Sequence, residues 1–534
     1  MAEVNFPELQ VSSSILVNNT YSYVNNTLFY AIANKTFYDY YYRVIRRCAW
    51  WVDGYVPDFH NQNNGIFSTR LASALVKGVG NQIVGKKILF KNSRANDGKA
   101  VEFISKDWME KADFQSAVRN AIKYAVALGT SAIKLNKSGK DLWVEPIRLD
   151  YFYFESDFRG NLVDITVLIK HYANANTTAT KSDSEDNFYL VERRFFKSEK
   201  VKRTEKVGDE FKVFEEIVKV PKVIYQVHRY TGKTLNNQVF NPTLKETVRW
   251  DSIPKNVRDS IKRDYNVIEI GVEQNLPFYE HLGVELLKYE NGDLSLPQIP
   301  FGTPLVQDLI SYLMSYDLAW SYYMRDMYFG KGMVIMPKAL TQDNFLGQTN
   351  AFSGMDRTLF EFYPSSDPET QKPQQVQFNL RTAEWIQTQD NILKKIATTI
   401  GMSAKTIAGY LEGGMNAKTA TEIDADDDAT IAFIEIKRGI FEKSLNRLLE
   451  VVTNYYGYSD NIEVKFATPS LINQDKLIER AIRLLESGLA DEEEAVKMIY
   501  PDDDEKLIRE RVEKLKAKKA EMEQQRMMNP YGIG

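Results

Sequence analysis

Apolar residues recur at spacings of three and four along some stretches of this chain and alternate along others. Those two periods mark helices and half-buried strands. After Asp113, the run FQSAVRNAIKYAVAL keeps helical spacing and stops at Gly129, where a helix would end. SAIKLN and DLWVEPIRLDYFYFE then predict strands. DFRGN, from Asp157 to Asn161, turns the chain into LVDITVLIKHY and so predicts a hairpin. Residues 173–187 predict a polar loop, and further alternating strands run from Phe188 to about Tyr230. The first half thus reads as a mixed α+β body.

The second half has a different rhythm. Thr303 followed by Pro304 predicts an N-cap with proline at the first helical position. Val306, Leu309, Leu313, Tyr316, Trp320, Tyr323 and Met327 form one stripe of that helix, which stops at Gly330. Gly332 to Met336, LFEFYP and VQF predict short strands. A second helix runs from about Asn379 through Trp385, Ile392, Ile396 and Ile400 to Gly401. Two helices therefore flank a small β excursion. After the Gly-containing stretch Ala408 to Lys418, Ile423, Ile431, Ile434, Phe441, Leu445, Leu448 and Val452 predict one very long helix. A strand, NIEVKF, follows, and charged helices close the chain, with ERVEKLKAKKAEMEQQR as a solvated face.

Composition narrows the function. The 534 residues amount to three or four domains at roughly 150 residues each. Hydrophobic residues are 43% and charged residues 26%, an ordinary globular balance. Lys and Arg number 68 against 72 Asp and Glu, a formal charge of −4. That excludes a grip on nucleic acid by blanket positive charge, but not a surface past which DNA slides. Cys48 is the only cysteine, so neither an internal disulfide nor a thiolate metal cluster is expected. His60, His171, His228 and His281 lie too far apart for a zinc-ligand pair. The aromatic run from Phe37 to Tyr55 predicts core or subunit interface rather than a base-stacking platform. The amino terminus lacks a secretory pattern, and Asp317 interrupts the apolar stretch Leu309 to Met324. An intracellular protein without a membrane span is expected.

Two motifs nearly match and fail on chemistry. Gly80 to Lys86 fits G-x-x-x-x-G-K, but Lys87 stands where a magnesium-holding hydroxyl belongs. An apparent helix precedes those glycines and an apparent strand follows, the reverse of a phosphate loop, so an ordinary Gly-rich turn is expected. Asp424 to Glu435 places carboxylates at calcium-loop positions, yet Ala429 replaces the glycine that makes the sharp turn. An acidic helix start, complementing the helix dipole, is the expected reading. No Gly-x-Ser-x-Gly elbow occurs, no cofactor is implied, and an enzyme is the weaker hypothesis.

The order of elements, together with YAVALGTSAIKL, WVEPIRLDYFYFESDFRG, GTPLVQDLISYLMSYDLAWS and IATTIGMSAKTIAGYLEGGMNAKTATEIDADDD, resembles the portal (head-to-tail connector) proteins of tailed double-stranded DNA bacteriophages. The long-tailed type infecting Gram-positive hosts is the nearest in wording, over about residues 110–470. The resemblance implies an α+β portal subunit. Residues 1–303 would be the wing, 304–329 and 379–401 two stem helices, and 330–378 a small β clip. Residues 402–419 would hold a tunnel loop, 420–468 the long wing helix and its strand, and 469–534 a helical crown. It implies a homo-oligomeric ring, dodecameric in the virion, at one capsid vertex. The implied partners are double-stranded DNA bound without sequence specificity, the terminase large subunit, a head-completion adaptor, and the major capsid and scaffolding proteins. In the tunnel loop, Lys405 and Lys418, bracketing Gly413 and Gly414, would touch the DNA backbone transiently, with Tyr410 and Asn416 at the narrow point. The aromatic stripe of the first stem helix would pack between subunits. A capsid or tail component without a channel is the alternative, and the helix–β–helix order disfavours it. A motor would need a complete phosphate loop, so the energy for packaging would come from a separate terminase.

Overall fold

The computed structural model describes residues 39–56, 59–60, 65–85, 87–92, 99–157, 161–173, 185–207, 210–235, 238–265, 267, 269–278, 280–290, 301–330, 333–337, 359–362, 374–376, 380–407, 420–458, 462–467, 474–503 and 505–528. The fold is α+β. The chain divides into two compact units, one formed by Met1–Ala49, Leu75–Gln307 and Asn416–Gly534, the other by Trp50–Ala74 and Asp308–Met415.

Helix α1 spans Asp39–Asp53 and α2 spans Leu71–Val84, followed by strand β1, Ile88–Asn92. The expected Gly-rich turn is corrected here. Gly80 lies inside α2, where a Cβ would sit 2.7 Å from the Lys123 side chain, so close helix packing selects that glycine. Only Gly85, with φ +68°, turns the chain. The carbonyls at the end of α2 are taken by Arg438, whose Nε donates to Ile83 at 2.7 Å and Nη2 to Gln82 at 3.2 Å. A helix C-terminus capped by a cation is electrostatically the opposite of a phosphate site.

Helix α3, Phe114–Leu128, is the centre of the larger unit; Phe114, Val118, Ala121, Ile122, Ala125 and Val126 are all buried on it. It ends at Gly129 as its sequence predicts. Gly129 has φ +82°, and a Cβ there would fall 1.9 Å from the carbonyl oxygen of Gly302, so two backbones cross where no side chain fits. Strand β2, Thr130–Ser138, pairs antiparallel with β3, Asp141–Arg148. The sequence expectation of one strand through DLWVEPIRLDYFYFE is corrected. A 3-10 turn at Leu149–Tyr151 breaks it, and β4, Phe152–Ser156, enters a different sheet. The pattern of apolar positions hides this break, because Leu149 is buried within the turn itself.

The hairpin predicted at Asp157–Asn161 is present: β4 pairs antiparallel with β5, Leu162–Ala173, and Asn161 N–H donates to Asp157 Oδ1 at 2.8 Å. Strands β6, Glu185–Val207, and β7, Glu210–Leu235, form a much longer hairpin than the sequence suggests, continuing into β8, Gln238–Thr247. Most of the expected polar loop at 173–187 lies outside the described residues. Helix α4, Lys255–Tyr265, and Ile253 just before it cover the sheet, with Ile253, Val257 and Ile261 against Phe188, Leu190 and Val227. The short β9, Gln274–Asn275, pairs with β7, and β10, Val284–Lys288, pairs with β2.

Two of the sheets of this unit, the one containing β2 and the one containing β6, are joined by buried charge. Lys134 on β2 is fully buried and donates from Nζ to Glu192 Oε2 at 2.9 Å, with Glu145 Oε2 at 3.0 Å. Arg194, beside Glu192 on β6, binds the same carboxylate through Nε. Its remaining donors reach the carbonyls of Leu135 and Leu282, both at 3.0 Å, and Asn136 Oδ1 at 3.1 Å. Burial alone would push the Glu192 carboxyl up, but Arg194 and Lys134 outweigh it and hold it at about 2. Such a network is favourable only when every member is satisfied, and this one is.

In the smaller unit, α5 spans Ile310–Phe329. The expected N-cap at Thr303 with Pro304 as first helical residue is corrected: Leu305 N–H donates to Val126 and the chain passes through a 3-10 turn, Gln307–Leu309, before the α-helix begins. Strands β11, Met333–Pro337, β12, Leu359–Phe362, and β13, Gln374–Val376, follow; β11 lies between a parallel β12 and an antiparallel β13. Helix α6, Thr382–Ile400, returns and ends at Gly401 in the left-handed region, as its sequence predicts.

Helix α7, Ala420–Tyr455, has 36 residues and extends about 54 Å. Ile434, Phe441, Leu445, Leu448 and Val452 are fully buried along it. Strand β14, Ile462–Phe466, pairs with β1, bringing the chain's first described strand against its last. Helices α8, Gln474–Glu486, α9, Glu492–Ile499, and α10, Glu505–Met528, complete the described residues. Among the described residues, no helix is long and apolar enough to cross a membrane, and no group of three or more His, Cys, Asp or Glu is placed to hold a metal ion.

Candidate functional site

The feature with the clearest functional geometry is the pair α5 and α6 with the β excursion between them. Near the end of α5, Asp326 Oδ2 accepts from Trp385 Nε1 and from Arg381 Nη2, each at 2.8 Å. The Trp385 hydrogen bond and the Arg381 charge hold the Asp326 carboxyl below its usual range. The Arg381 guanidinium also lies over the Trp385 ring at 5.6 Å, and Tyr322 approaches the same ring at 6.2 Å. At this crossing a Cβ on Gly330 would fall 2.1 Å from the end of the Leu380 side chain, which would have to move aside. The helices are thus clasped where the excursion leaves and returns.

A second anchor lies higher on α5. Asp317, only 2% exposed, accepts from His60 Nε2 at 2.8 Å, from Thr69 N–H at 3.1 Å and from the Thr69 hydroxyl. One turn on, Ser321 Oγ donates to the Asp317 carbonyl at 2.6 Å and accepts from Phe67 N–H at 2.9 Å. His60 Nδ1 accepts from Val56 N–H at 2.9 Å, so the ring hydrogen sits on Nε2 and points at Asp317. Trp51, Tyr55 and Phe59 surround the imidazole. The aromatic run near the amino terminus is therefore partly core, and the residues at fault for interrupting an apolar stretch are the ones that pin it. A carboxylate at the centre of an apolar stripe was the available sequence signal.

Beyond Leu313 the predicted stripe is not buried within the chain. On it, Trp320 is 37% and Met327 43% exposed; off the stripe, Tyr322 is 47% and Tyr328 55% exposed, and Leu380 and Ile386 on the returning segment are 46% and 53% exposed. Tyr322 meets the Trp385 ring, and Trp320 and Tyr323 lie side by side on α5 with ring centroids 5.8 Å apart.

The predicted DNA-proximal residues are placed unevenly. Lys405 lies half-buried in a single helical turn after Gly401, a turn capped by Ser403 Oγ accepting from Thr406 N–H at 3.1 Å and fixed by buried Met402 and Ile407. Tyr410, Gly413, Gly414, Asn416 and Lys418 lie outside the described residues. The acidic stretch from Asp424 runs as backbone helix within α7, the geometry expected of a helix start rather than of a calcium loop.

Family comparison decides what this helix–β–helix arrangement belongs to. The sequence model of one family, described as phage portal protein, SPP1 Gp6-like, matches residues 19–525, nearly the whole chain. The chain belongs to that family. No curated protein matches it. As a phage portal protein it is a structural, virion-associated component of the packaging apparatus, and the family assembles as oligomeric rings. The resemblance read from the sequence is thereby established at the level of family. Within the portal subunit, the buried Lys134–Glu192–Arg194 joint, the Asp326 clasp and the Asp317 anchor are the features that residue patterns alone did not expose.

Proposed function

We propose that the chain forms a ring at one capsid vertex, the channel through which double-stranded DNA is packaged and later ejected. The observation that carries this reading is the clasped helix pair with its β excursion, on which Trp320 and Met327 of the predicted stripe stay 37% and 43% exposed. In a ring, α5 and α6 are the stem, and the face bearing Trp320, Tyr323 and Met327 packs against the next subunit. Residues 330–378 are the clip, which docks the terminase large subunit during packaging and the head-completion adaptor afterwards. Residues 1–303 and 420–468 belong to the wing, 402–419 to the tunnel loop and 469–534 to the crown, which faces the capsid interior. The wing and crown meet the major capsid and scaffolding proteins during assembly.

A near-neutral protein suits this task. Base-specific contacts or many phosphate contacts would hold DNA still. Transient backbone contacts from Lys405 and Lys418 are compatible with movement. Replacing both by glutamate lowers DNA retention in assembled particles if they touch the backbone, and leaves it unchanged if they only shape the loop.

Negative-stain imaging with native mass determination tests the ring directly. Closed rings with a central hole, at about twelve subunits, are expected. A chain that stays monomeric at high concentration contradicts the reading.

A further inference from the structure

Helices α2 and α3 touch within the larger unit at Gly80, where an added Cβ would lie 2.7 Å from Lys123 Cγ and 3.4 Å from its Cα. Helical spacing gathers three cations around that crossing. Lys77 stands three residues before Gly80 on α2, and Arg119 stands four residues before Lys123 on α3, so each is one turn from the contact. Arg119 and Lys123 are half-buried, and Lys77 is exposed.

The cluster lacks counter-charge. Among the described residues, no carboxylate pairs with Lys77, Arg119 or Lys123, and Arg119 Nε is buried without an acceptor. Burial first, then Arg119 and Lys77, lower the Lys123 pKa, and no acid offsets them. An orphaned guanidinium donor and repulsion between like charges both cost stability. One anion at the crossing relieves both, and a guanidinium fork beside ammonium groups suits a phosphate.

The surroundings favour a nucleic-acid phosphate. No large apolar side chain of α2 or α3 is exposed, so an acidic protein segment would find no anchor there. Ser116 and Asn120 on α3 and Asn81 on α2 are exposed beside the cations, and hydroxyl and amide groups join Arg and Lys on phosphate oxygens. A free phosphate could not serve exposed Lys77 and the half-buried pair as well as a duplex, which brings several phosphates at once. We propose that the α2–α3 crossing holds the backbone of double-stranded DNA, with Arg119 and Lys123 on one phosphate and Lys77 on a neighbouring one. From the proposed function this takes only that duplex DNA meets the protein. The contact reads no base, and it is separate in sequence from Lys405 and Lys418.

The test follows binding of a fluorescein-labelled duplex of mixed sequence to the full chain across a salt series, with acetylation of Lys77 and Lys123 read by mass spectrometry. The duplex is expected to slow acetylation of both lysines about fivefold. Lys77→Gln, Arg119→Gln and Lys123→Gln together should lower the slope of log affinity against log salt by about 2–3. Lys77→Gln alone, at an exposed position that folding tolerates, should lower it by about 1, and Lys77→Arg should retain it. Inorganic phosphate at matched ionic strength should give no shielding. No change in acetylation on adding DNA, an unchanged slope in the Gln variants, or equal shielding by inorganic phosphate overturns the inference. Shielding that comes with ring assembly before DNA is added assigns the crossing to a subunit contact and overturns it too. DNA shielding in a chain that native mass shows never forms rings removes the ring reading alone.

Discussion

The joint around Glu192 and the helix pair α5–α6 solve opposite problems. At the joint, two cations and two carboxylates are closed inside one chain, and each donor of Arg194 has an acceptor. On the helix pair, large aromatic and aliphatic side chains face outward from positions that helical spacing would assign to a core. The first region is complete in a single subunit. In the ring proposed above, the second is the region that another chain completes, and so the one where association energy is stored.

Breaking the joint has the largest expected effect on the folded subunit. Glu192→Gln leaves Lys134 and Arg194 buried without their shared countercharge, and a loss of about 3–5 kcal/mol is expected by denaturant unfolding. The pH dependence has the matching sign. Because the folded pKa of Glu192 is lowered from 4.5 to about 2, its stabilisation is present above pH 4.5 and is lost as pH falls towards 2. In the Gln variant that part of the acid sensitivity disappears.

On the helix pair, Asp317→Ala is next, with an expected cost of about 3 kcal/mol, because His60 Nε2 and two Thr69 donors lose their acceptor. Asp317→Asn retains an acceptor and costs less, which the same unfolding curves would resolve. At the clasp, Trp385→Phe removes one hydrogen bond to Asp326 and should cost about 1 kcal/mol. By contrast, Trp320→Glu leaves the thermal unfolding of isolated subunits nearly unchanged and abolishes rings in native mass spectra. A smaller effect distinguishes the larger unit. His228 is buried with neither ring nitrogen hydrogen-bonded, and burial lowers its pKa. Its unfolded form takes up a proton first, so folded stability falls as pH drops below about 6.5, by at most about 1.4 kcal/mol per unit. His228→Phe removes that slope, and unfolding at pH 5 and pH 7 measures it.

Much of this architecture was legible because local signals agreed. Gly129 and Gly401 stop their helices where the spacing stops, and the apolar spacing of α7 carries on through its single interior glycine, Gly439. The failures come from tertiary contacts. Thr303-Pro304 has the chemistry of a helix start, but a hydrogen bond from Leu305 to Val126 holds the next residues as a turn. The helix α4 was missed because its polar composition leaves only Val257 and Ile261 to mark a buried face. Gly80 looked like turn chemistry because Lys123, its packing partner, is far away in sequence. The same holds for function: Asp317 and Asp326 acquire their roles only when Trp385, Thr69 and His60 arrive from distant segments.

Hydrogen–deuterium exchange of isolated subunits and assembled rings tests the central contrast most directly. Peptides covering Trp320–Tyr328 and Leu380–Gln389 should gain protection on assembly, while those covering Lys134 and Glu192–Arg194 should be equally protected in both states. Gained protection at the joint with none on α5 and α6 would contradict the account.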